Sequence, residues 1–127
     1  MTVENLSTRD KKHLWHPLTQ HKLGKPQLPI VKAKGALLFD EKGKEYIDAI
    51  ASWYTVMYGH ANEQIVSAIT QQMQTLDFVM FSGLTHEPAI ELSEKLMEIL
   101  PSNQAKIFFN DNGSTAVEAA IKMALQF

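Results

Sequence analysis

Apolar residues recur at helical spacing in three stretches of the second half of the chain. In residues 61–76 they fall three or four positions apart with glutamines opposite, which predicts an amphipathic helix. Residues 87–100 repeat the pattern, and Pro88 stands in the first turn, where it removes no intrahelical hydrogen bond. A third helix is predicted over residues 115–127. The two amphipathic stripes consist of Ile65, Ile69, Met73 and Leu76, and of Ala89, Leu92, Leu96 and Ile99.

Short apolar runs separated by turns mark residues 30–50 as strands. Turns are expected at residues 34–35 and 40–43, because both carry glycine where antiparallel hairpins favour it. The pattern therefore predicts an antiparallel meander. Before it, residues 22–29 form a linker rich in glycine and proline, and residues 1–10 are expected to be a mobile or loosely docked arm.

The connection between the meander and the first amphipathic helix is aromatic and apolar, which is unusual for a loop. It spans residues 51–60, contains Trp53 and Tyr54, and ends in glycine and histidine. Two interpretations stay open. The side chains pack in the core, or they form an aromatic wall beside a ligand, because ligand pockets are mostly apolar and aromatic.

A later segment combines a strand signal, a polar turn and a helix start. The apolar run 107–109 predicts a short buried strand, and the turn formers 110–113 follow, with Gly113 able to adopt a positive φ. Thr115 and Glu118 match a capping box. Such a turn presents free N–H groups, a serine hydroxyl and a helix dipole, which together suit a phosphate. The alternative is an ordinary helix start.

The last predicted helix is apolar around most of its circumference. A helix of this kind is normally buried on several sides, and no later segment of the 127-residue sequence could cover it. We therefore expect the chain to be the front part of a larger protein.

Composition excludes several classes of function. The net charge is −2 with both signs interspersed, which gives no electrostatic case for nucleic acid or an anionic membrane. Cysteine is absent, so neither disulfides nor thiolate chemistry is available. The polar N-terminus lacks the apolar core of a signal peptide, and no apolar run is long enough to span a bilayer, which favours a cytoplasmic protein.

Residues with catalytic or metal-binding potential form no recognisable set. The sequence contains no Ser-His-Asp set in recognisable context, no Gly-x-Gly-x-x-Gly and no Walker motif. His13, His16 and His21 do not follow a known zinc-ligand spacing, so ordinary hydrogen bonds are expected for them, with Trp15 anchoring the arm on the core. A phosphate site and an aromatic wall remain, which describe a cofactor site without its reactive groups.

Several motifs together resemble the N-terminal part of the class III, pyridoxal-phosphate-dependent aminotransferases. They are Trp-His-Pro, Ala-Ser-Trp, Phe-Ser-Gly-Leu-Thr-His-Glu-Pro-Ala and Asp-Asn-Gly-Ser-Thr, at residues 15–17, 51–53, 81–89 and 111–115. The last is shared across the class, whereas the others resemble its biotin-pathway members. The resemblance implies fold type I: an N-terminal arm and small-lobe antiparallel meander over residues 1–60, then the start of the large α/β domain over residues 61–127.

The resemblance also implies roles for individual residues. Gly113 and Ser114 would bind the phosphate of pyridoxal 5'-phosphate, and Trp53 would line the substrate pocket beside Tyr54. Leu18 occupies a position at which the family often has an aromatic ring that contacts the substrate. A leucine keeps apolar contact but loses stacking, which leaves the amino donor open. No metal site is implied.

The implied reaction moves an amino group from S-adenosylmethionine to 7-keto-8-aminopelargonate in a homodimer. The lysine that holds the cofactor in the family lies beyond residue 127, so the chain alone is expected to be inactive. Two alternatives remain open. One is another class III enzyme acting on an ω-amino acid or a diamine. The other is a non-catalytic phosphate-binding or interaction domain.

Overall fold

A computed structural model of the chain describes residues 4–126. The chain divides into two compact units between Thr75 and Leu76, and each unit is described by itself. The lobe boundary expected between residues 60 and 61 concerns the architecture of a larger protein, and it stays a prediction.

The predicted meander is confirmed as a three-stranded antiparallel sheet in the first unit. Its strands are β1 (Ile30–Lys34), β2 (Leu37–Asp40) and β3 (Glu45–Ile47), in the order β1-β2-β3. Both turns adopt the backbone that their glycines allow, with φ of 57° at Gly35 and 78° at Gly43. The hairpin connections therefore follow from local sequence.

A helix that the apolar pattern does not predict, α1 (Leu6–His13), lies in the N-terminal arm. The Asn5 side-chain oxygen caps it by accepting a hydrogen bond of 2.8 Å from the Thr8 N–H. Three basic residues in its last turn complement the helix dipole: Lys11, Lys12 and His13. Capping and charge thus explain a helix whose hydrophobic pattern is weak. The part of the arm before residue 4 lies outside the described residues.

The three predicted helices are confirmed, with small changes at their ends. They are α2 (Glu63–Thr75) in the first unit, and α3 (Glu87–Ile99) and α4 (Gly113–Gln126) in the second. Pro88 lies in the first turn of α3, as expected, and the His86 ring caps this helix by accepting from the Ala89 N–H at 3.3 Å. Residue 127 lies outside the described part of the chain.

The strand expected at residues 107–109 is wrong. The structure has no regular secondary structure there, and the strands found within residues 4–126 are β1 to β3. A strand needs a neighbouring strand whose backbone completes its hydrogen bonds. An apolar run shows only that the side chains suit a strand, and it does not supply that partner. Phe109 instead contacts Phe81, with ring centroids 6.2 Å apart.

The helices leave their apolar faces open to solvent. No apolar side chain between residues 4 and 126 is buried, and the stripe residues Ile69 and Met73 of α2 are exposed. The burial expected for α4 is not present in the described chain, since Leu125 is 82% exposed. Trp15 is 84% exposed, so its predicted role as an anchor on a core is wrong. Among the described helices, none is long and apolar enough to cross a membrane.

Candidate functional site

The N-terminus of α4 is capped by Asn112. Its side-chain oxygen accepts a hydrogen bond of 3.0 Å from the Thr115 N–H, and its own N–H donates to the Thr115 hydroxyl at 3.3 Å. The two residues thus form a reciprocal capping pair. The capping box expected between Thr115 and Glu118 is wrong by three positions, because the helix begins earlier. Glu118 instead pairs with Lys122 at 2.6 Å along the exposed face of the helix.

This cap leaves a group of donors without partners. In the described chain, the N–H groups of Gly113 and Ser114 and the Ser114 hydroxyl make no hydrogen bond. The φ of Gly113 is not positive, contrary to the conformation the sequence allowed. The space beside Gly113 is open, since a Cβ at this position would meet no atom within 4 Å. The first turn of α4 is therefore open to an approaching ligand.

A carboxylate beside the cap is held away from these donors. Asp111 accepts a hydrogen bond of 2.6 Å from the Thr115 hydroxyl and one of 3.0 Å from the Asn112 amide. These bonds stabilise the ionised form and lower the pKa of Asp111, with the Thr115 hydroxyl as the largest cause. Because both carboxylate oxygens are occupied within the cap, Gly113 and Ser114 stay available to an anion.

The aromatic connection contains a single left-handed helical turn, Ala51–Tyr54. The φ values of these four residues lie between 46° and 64°, although none is glycine. Such a conformation costs about 1–2 kcal/mol per residue. It closes with a hydrogen bond of 2.9 Å from the Tyr54 N–H to the Ile50 carbonyl. A conformation of this cost persists only where the surrounding structure holds it.

The left-handed turn presents Trp53 and Tyr54 to solvent. Their side chains are 72% and 73% exposed, and their ring centroids lie 6.4 Å apart. Met57 and Tyr58 are similarly exposed. In the described chain these residues do not pack in a core, which favours the second interpretation of this segment, an aromatic wall available to a ligand.

Three polar residues around the left-handed turn come together in a way the sequence did not reveal. One oxygen of Asp48 accepts a hydrogen bond of 2.7 Å from the Ser52 hydroxyl and lies 2.8 Å from His60 Nε2. The side chains of Asp48 and His60 are only 6% and 16% exposed. These contacts lower the pKa of Asp48 to about 2, with the Ser52 side chain as the first cause and His60 a further one.

This serine, histidine and aspartate do not form a nucleophilic triad. A triad needs the histidine to bridge the other two residues through its two nitrogens. Here Ser52 donates to Asp48 directly, and His60 meets both partners with Nε2, at 2.8 Å from Asp48 and 3.4 Å from Ser52. The cluster therefore supports the backbone rather than chemistry.

Leu18 lies on a separate turn of the first unit. Its φ is 56° and its side chain is 97% exposed, so the turn presents it fully to solvent. The Thr19 hydroxyl stabilises this turn by donating to the His16 carbonyl at 2.9 Å. The structure thus leaves Leu18 free to contact a ligand.

The N-terminal histidines take different roles. His16 Nε2 lies 2.8 Å from Asp10, which confirms an ordinary polar contact for this residue. In the part of the chain that the structure describes, no three acidic or histidine side chains are grouped to hold a metal ion. A cavity of about 500 Å³ lies between α1 and residues 27–30, but none of the predicted site residues lines it.

Comparison with protein families identifies an aminotransferase family. The model of the family "Aminotransferase class-III" matches residues 19–127. Two curated relatives are named adenosylmethionine-8-amino-7-oxononanoate aminotransferase. The protein from Synechococcus elongatus is 50% identical over 91% of this chain and 27% of its own length. The one from Geobacter sulfurreducens is 40% identical over 98% of this chain and 28% of its own length.

Solved structures with the same fold carry related names. Adenosylmethionine-8-amino-7-oxononanoate aminotransferase from Methanocaldococcus jannaschii matches with a TM-score of 0.88 and 36% identity, over 95% of this chain and 28% of that one. An omega transaminase from Pseudomonas jessenii in complex with PMP matches with a TM-score of 0.85 and 36% identity, over 94% and 27%.

These comparisons define the family and how much of its members the chain spans. The chain covers 27–28% of the length of the two curated relatives. Its fold, a small antiparallel meander followed by helices, corresponds to part of the transaminase fold, as the resemblance implied. The match covers most of the described chain, including the left-handed turn and the start of α4. The chain belongs to the class III aminotransferases.

Proposed function

We propose that the chain is the front part of a pyridoxal-phosphate-dependent aminotransferase of biotin biosynthesis. The parent protein would transfer an amino group from S-adenosylmethionine to 7-keto-8-aminopelargonate, giving 7,8-diaminopelargonate. The observation that carries a cofactor role is the open first turn of α4, where Gly113 and Ser114 keep their donors free. The names of the two curated relatives support the choice of reaction.

Gly113 and Ser114 would hold the phosphate of the cofactor. The N–H groups of the first helical turn and the Ser114 hydroxyl can donate to phosphate oxygens, and the helix dipole favours their negative charge. When bound, pyridoxal phosphate supplies an electron sink for amino transfer. The missing side chain at Gly113 leaves room for the phosphate to reach the backbone.

The exposed aromatic and apolar side chains of the first unit would form part of the substrate pocket. Trp53 and Tyr54 lie on the left-handed turn, and Leu18 lies on a separate turn in which its own φ is positive. Apolar walls of this kind exclude water and orient a ligand, while polar groups supply specificity. Leu18 offers no hydroxyl or ring, so it would contribute contact area alone.

The residues that react with substrate are proposed to lie outside this chain. Lys122 is not a good candidate for the cofactor lysine, because it is 71% exposed and paired with Glu118. The chain alone is therefore proposed to be inactive. Assembly into a homodimer and a cytoplasmic location are further parts of this proposal.

A donor comparison on the parent protein tests the proposed reaction. Transamination would be measured with 7-keto-8-aminopelargonate as the acceptor and S-adenosylmethionine, alanine or lysine as the donor. Of the three donors, we expect only S-adenosylmethionine to support turnover. Turnover with another donor and none with S-adenosylmethionine would overturn the proposed donor. An open reading frame that stops after Phe127 would instead favour a non-catalytic phosphate-binding domain.

One observation favours a second candidate function. The family resemblance implies an aromatic ring at the position that Leu18 occupies, and an omega transaminase from Pseudomonas jessenii is similar in fold to this chain with a TM-score of 0.85. A class III enzyme that acts on an ω-amino acid or a diamine would need no ring to stack on adenosine. Activity with lysine as the donor in the same assay would support this candidate.

A further inference from the structure

We propose that Asp48, Ser52 and His60 form a positioning latch that fixes the left-handed turn and thereby the direction of Trp53. The three side chains are called the latch below. None of them is proposed to touch a reacting atom. The expected effect of the latch on substrate binding rests on the proposed function, whereas its expected effect on the direction of Trp53 does not.

The need for such a device follows from the backbone of the left-handed turn. Four consecutive residues without glycine adopt positive φ, which neither their sequence nor their β-carbons favour. The rings of Trp53 and Tyr54 add little support to this backbone. Each side chain is more than two-thirds exposed, and the ring centroids are 6.4 Å apart. The force that holds the turn must therefore come from residues beside it.

The latch joins both ends of the turn through one carboxylate. Asp48 lies before the turn, Ser52 within it and His60 after it. The same Asp48 oxygen is 2.7 Å from the Ser52 hydroxyl and 2.8 Å from His60 Nε2. Asp48 and His60 are well shielded from solvent, with side-chain exposed fractions of 6% and 16%. Shielding from water strengthens such contacts.

The sheet provides a fixed base for the latch. The Asp48 N–H donates to the Ala36 carbonyl at 2.9 Å. His60 exchanges two backbone hydrogen bonds with Gly35, each of 2.9 Å. Both outer members of the latch are therefore tied to the connection between β1 and β2. Because Asp48 and His60 connect the left-handed turn to the sheet, a change in the position of either residue should change the direction of Trp53.

The latch is tested by observing Trp53 directly in the full-length parent protein. Tryptophan is replaced by 5-fluorotryptophan, and the Trp53 signal in the ¹⁹F NMR spectrum is assigned by its loss in Trp53→Phe. We expect His60→Ala and Asp48→Ala to shift or broaden this signal. We expect His60→Gln to restore it, because a glutamine amide can reach the place of Nε2.

Steady-state kinetics separate positioning from a general loss of folding. In His60→Ala we expect KM for the acceptor to rise about tenfold, while kcat changes less than about threefold, because binding is lost without loss of chemistry. His21→Ala is the matched control, since His21 makes no hydrogen bond or ion pair among the described residues. It should leave both the Trp53 signal and KM unchanged.

A milder variant keeps the test decisive if an alanine at Asp48 or His60 prevents folding. Ser52→Ala removes one hydroxyl and leaves the contact between Asp48 and His60 in place. A shifted Trp53 signal in folded Ser52→Ala supports the latch. An unchanged signal in every folded latch variant overturns it. The two proposals can fail separately. If the unmodified parent protein shows no biotin-pathway activity but the latch variants still shift the Trp53 signal, the proposed reaction is overturned and the latch is supported.

Discussion

At the level of single residues, Asp48 combines the strongest shift in pKa with a defined structural task. Its oxygen receives the Ser52 hydroxyl and contacts His60, and the pKa falls from 3.8 to about 2. The sequence shows these residues but not their proximity, because Asp48 and His60 are twelve positions apart. A regular strand or helix would not bring them together, whereas the turn between them does.

The lowered pKa of Asp48 predicts how stability depends on pH. A folded pKa below the unfolded value means that the folded state favours the ionised form, so the stabilisation is complete above about pH 4. It is lost as the pH falls through the folded pKa of about 2. We expect the difference in unfolding free energy between the parent protein and Asp48→Asn to shrink as the pH falls from 5 to 2. Urea titrations at several pH values measure it, and a constant difference contradicts the prediction.

Ser114 gives a second prediction at this scale. Ser114→Ala removes the hydroxyl proposed to donate to the cofactor phosphate, and a hydrogen bond to a charged group contributes about 1.5–3 kcal/mol. We expect the affinity of the parent protein for the cofactor to fall about 10- to 100-fold. Equilibrium dialysis measures the change.

The matched control is Ser102→Ala. Ser102 is exposed and lies outside the first turn of α4, so its hydroxyl should not affect the cofactor. Equal losses of affinity in the two variants would argue against a phosphate contact at Ser114.

At the level of elements, the sequence predicted the helices and strands that depend on interactions between residues close together in the chain. The meander and the three helices follow from turn glycines and apolar spacing, which act within a few residues. The strand at residues 107–109 was wrong because its partners are not set locally. The left-handed turn was missed because its residues include no glycine, and His60 supports it from a distance of several residues.

Two glycines with similar backbones provide a test of the sheet connection. Gly59 has a φ of 85°, and a Cβ there would lie 3.2 Å from the Gly35 Cα. Gly43 has a φ of 78°, and a Cβ there would meet nothing within 4 Å. Both alanine variants carry the strain of a positive φ, about 1–2 kcal/mol. We expect Gly59→Ala to lose about 1 kcal/mol more than Gly43→Ala, because backbone atoms must also move.

Unfolding free energies of the two variants, measured in the parent protein by urea titration, check this prediction. The comparison isolates the close approach of the two glycine backbones, since the strain is common to both. A loss in Gly43→Ala as large as that in Gly59→Ala would mean that the contact with Gly35 has no energetic effect.

At the level of the whole molecule, exposed apolar faces are the main feature. No apolar side chain in the described chain is buried, although 45% of the sequence is apolar. The chain also spans less than a third of its curated relatives. Apolar faces of this extent are normally covered by other protein segments.

The open first turn of α4 predicts weak cofactor binding by the 127-residue chain on its own, because it offers only a helix N-terminus and one hydroxyl to the phosphate. A helix N-terminus contributes about 0.3–2 kcal/mol to an anion, whereas a dissociation constant of 1 mM requires about 4 kcal/mol. Pyridoxamine 5'-phosphate is the suitable probe, because it has no aldehyde to react with surface lysines. We expect a dissociation constant weaker than about 1 mM by calorimetry. Micromolar binding would show that this chain already holds a complete site.

Through its motifs the sequence by itself indicated the family of the protein, and its local patterns determined the meander and the three main helices. The meander and the helices depend on side-chain type, periodicity and turn chemistry, which operate over short distances. Only the tertiary structure decided the true cap of α4, the left-handed course of residues 51–54 and the meeting of Asp48, Ser52 and His60. Those features depend on which hydrogen-bond partners the folded backbone brings within reach, and spacing along the chain does not specify them.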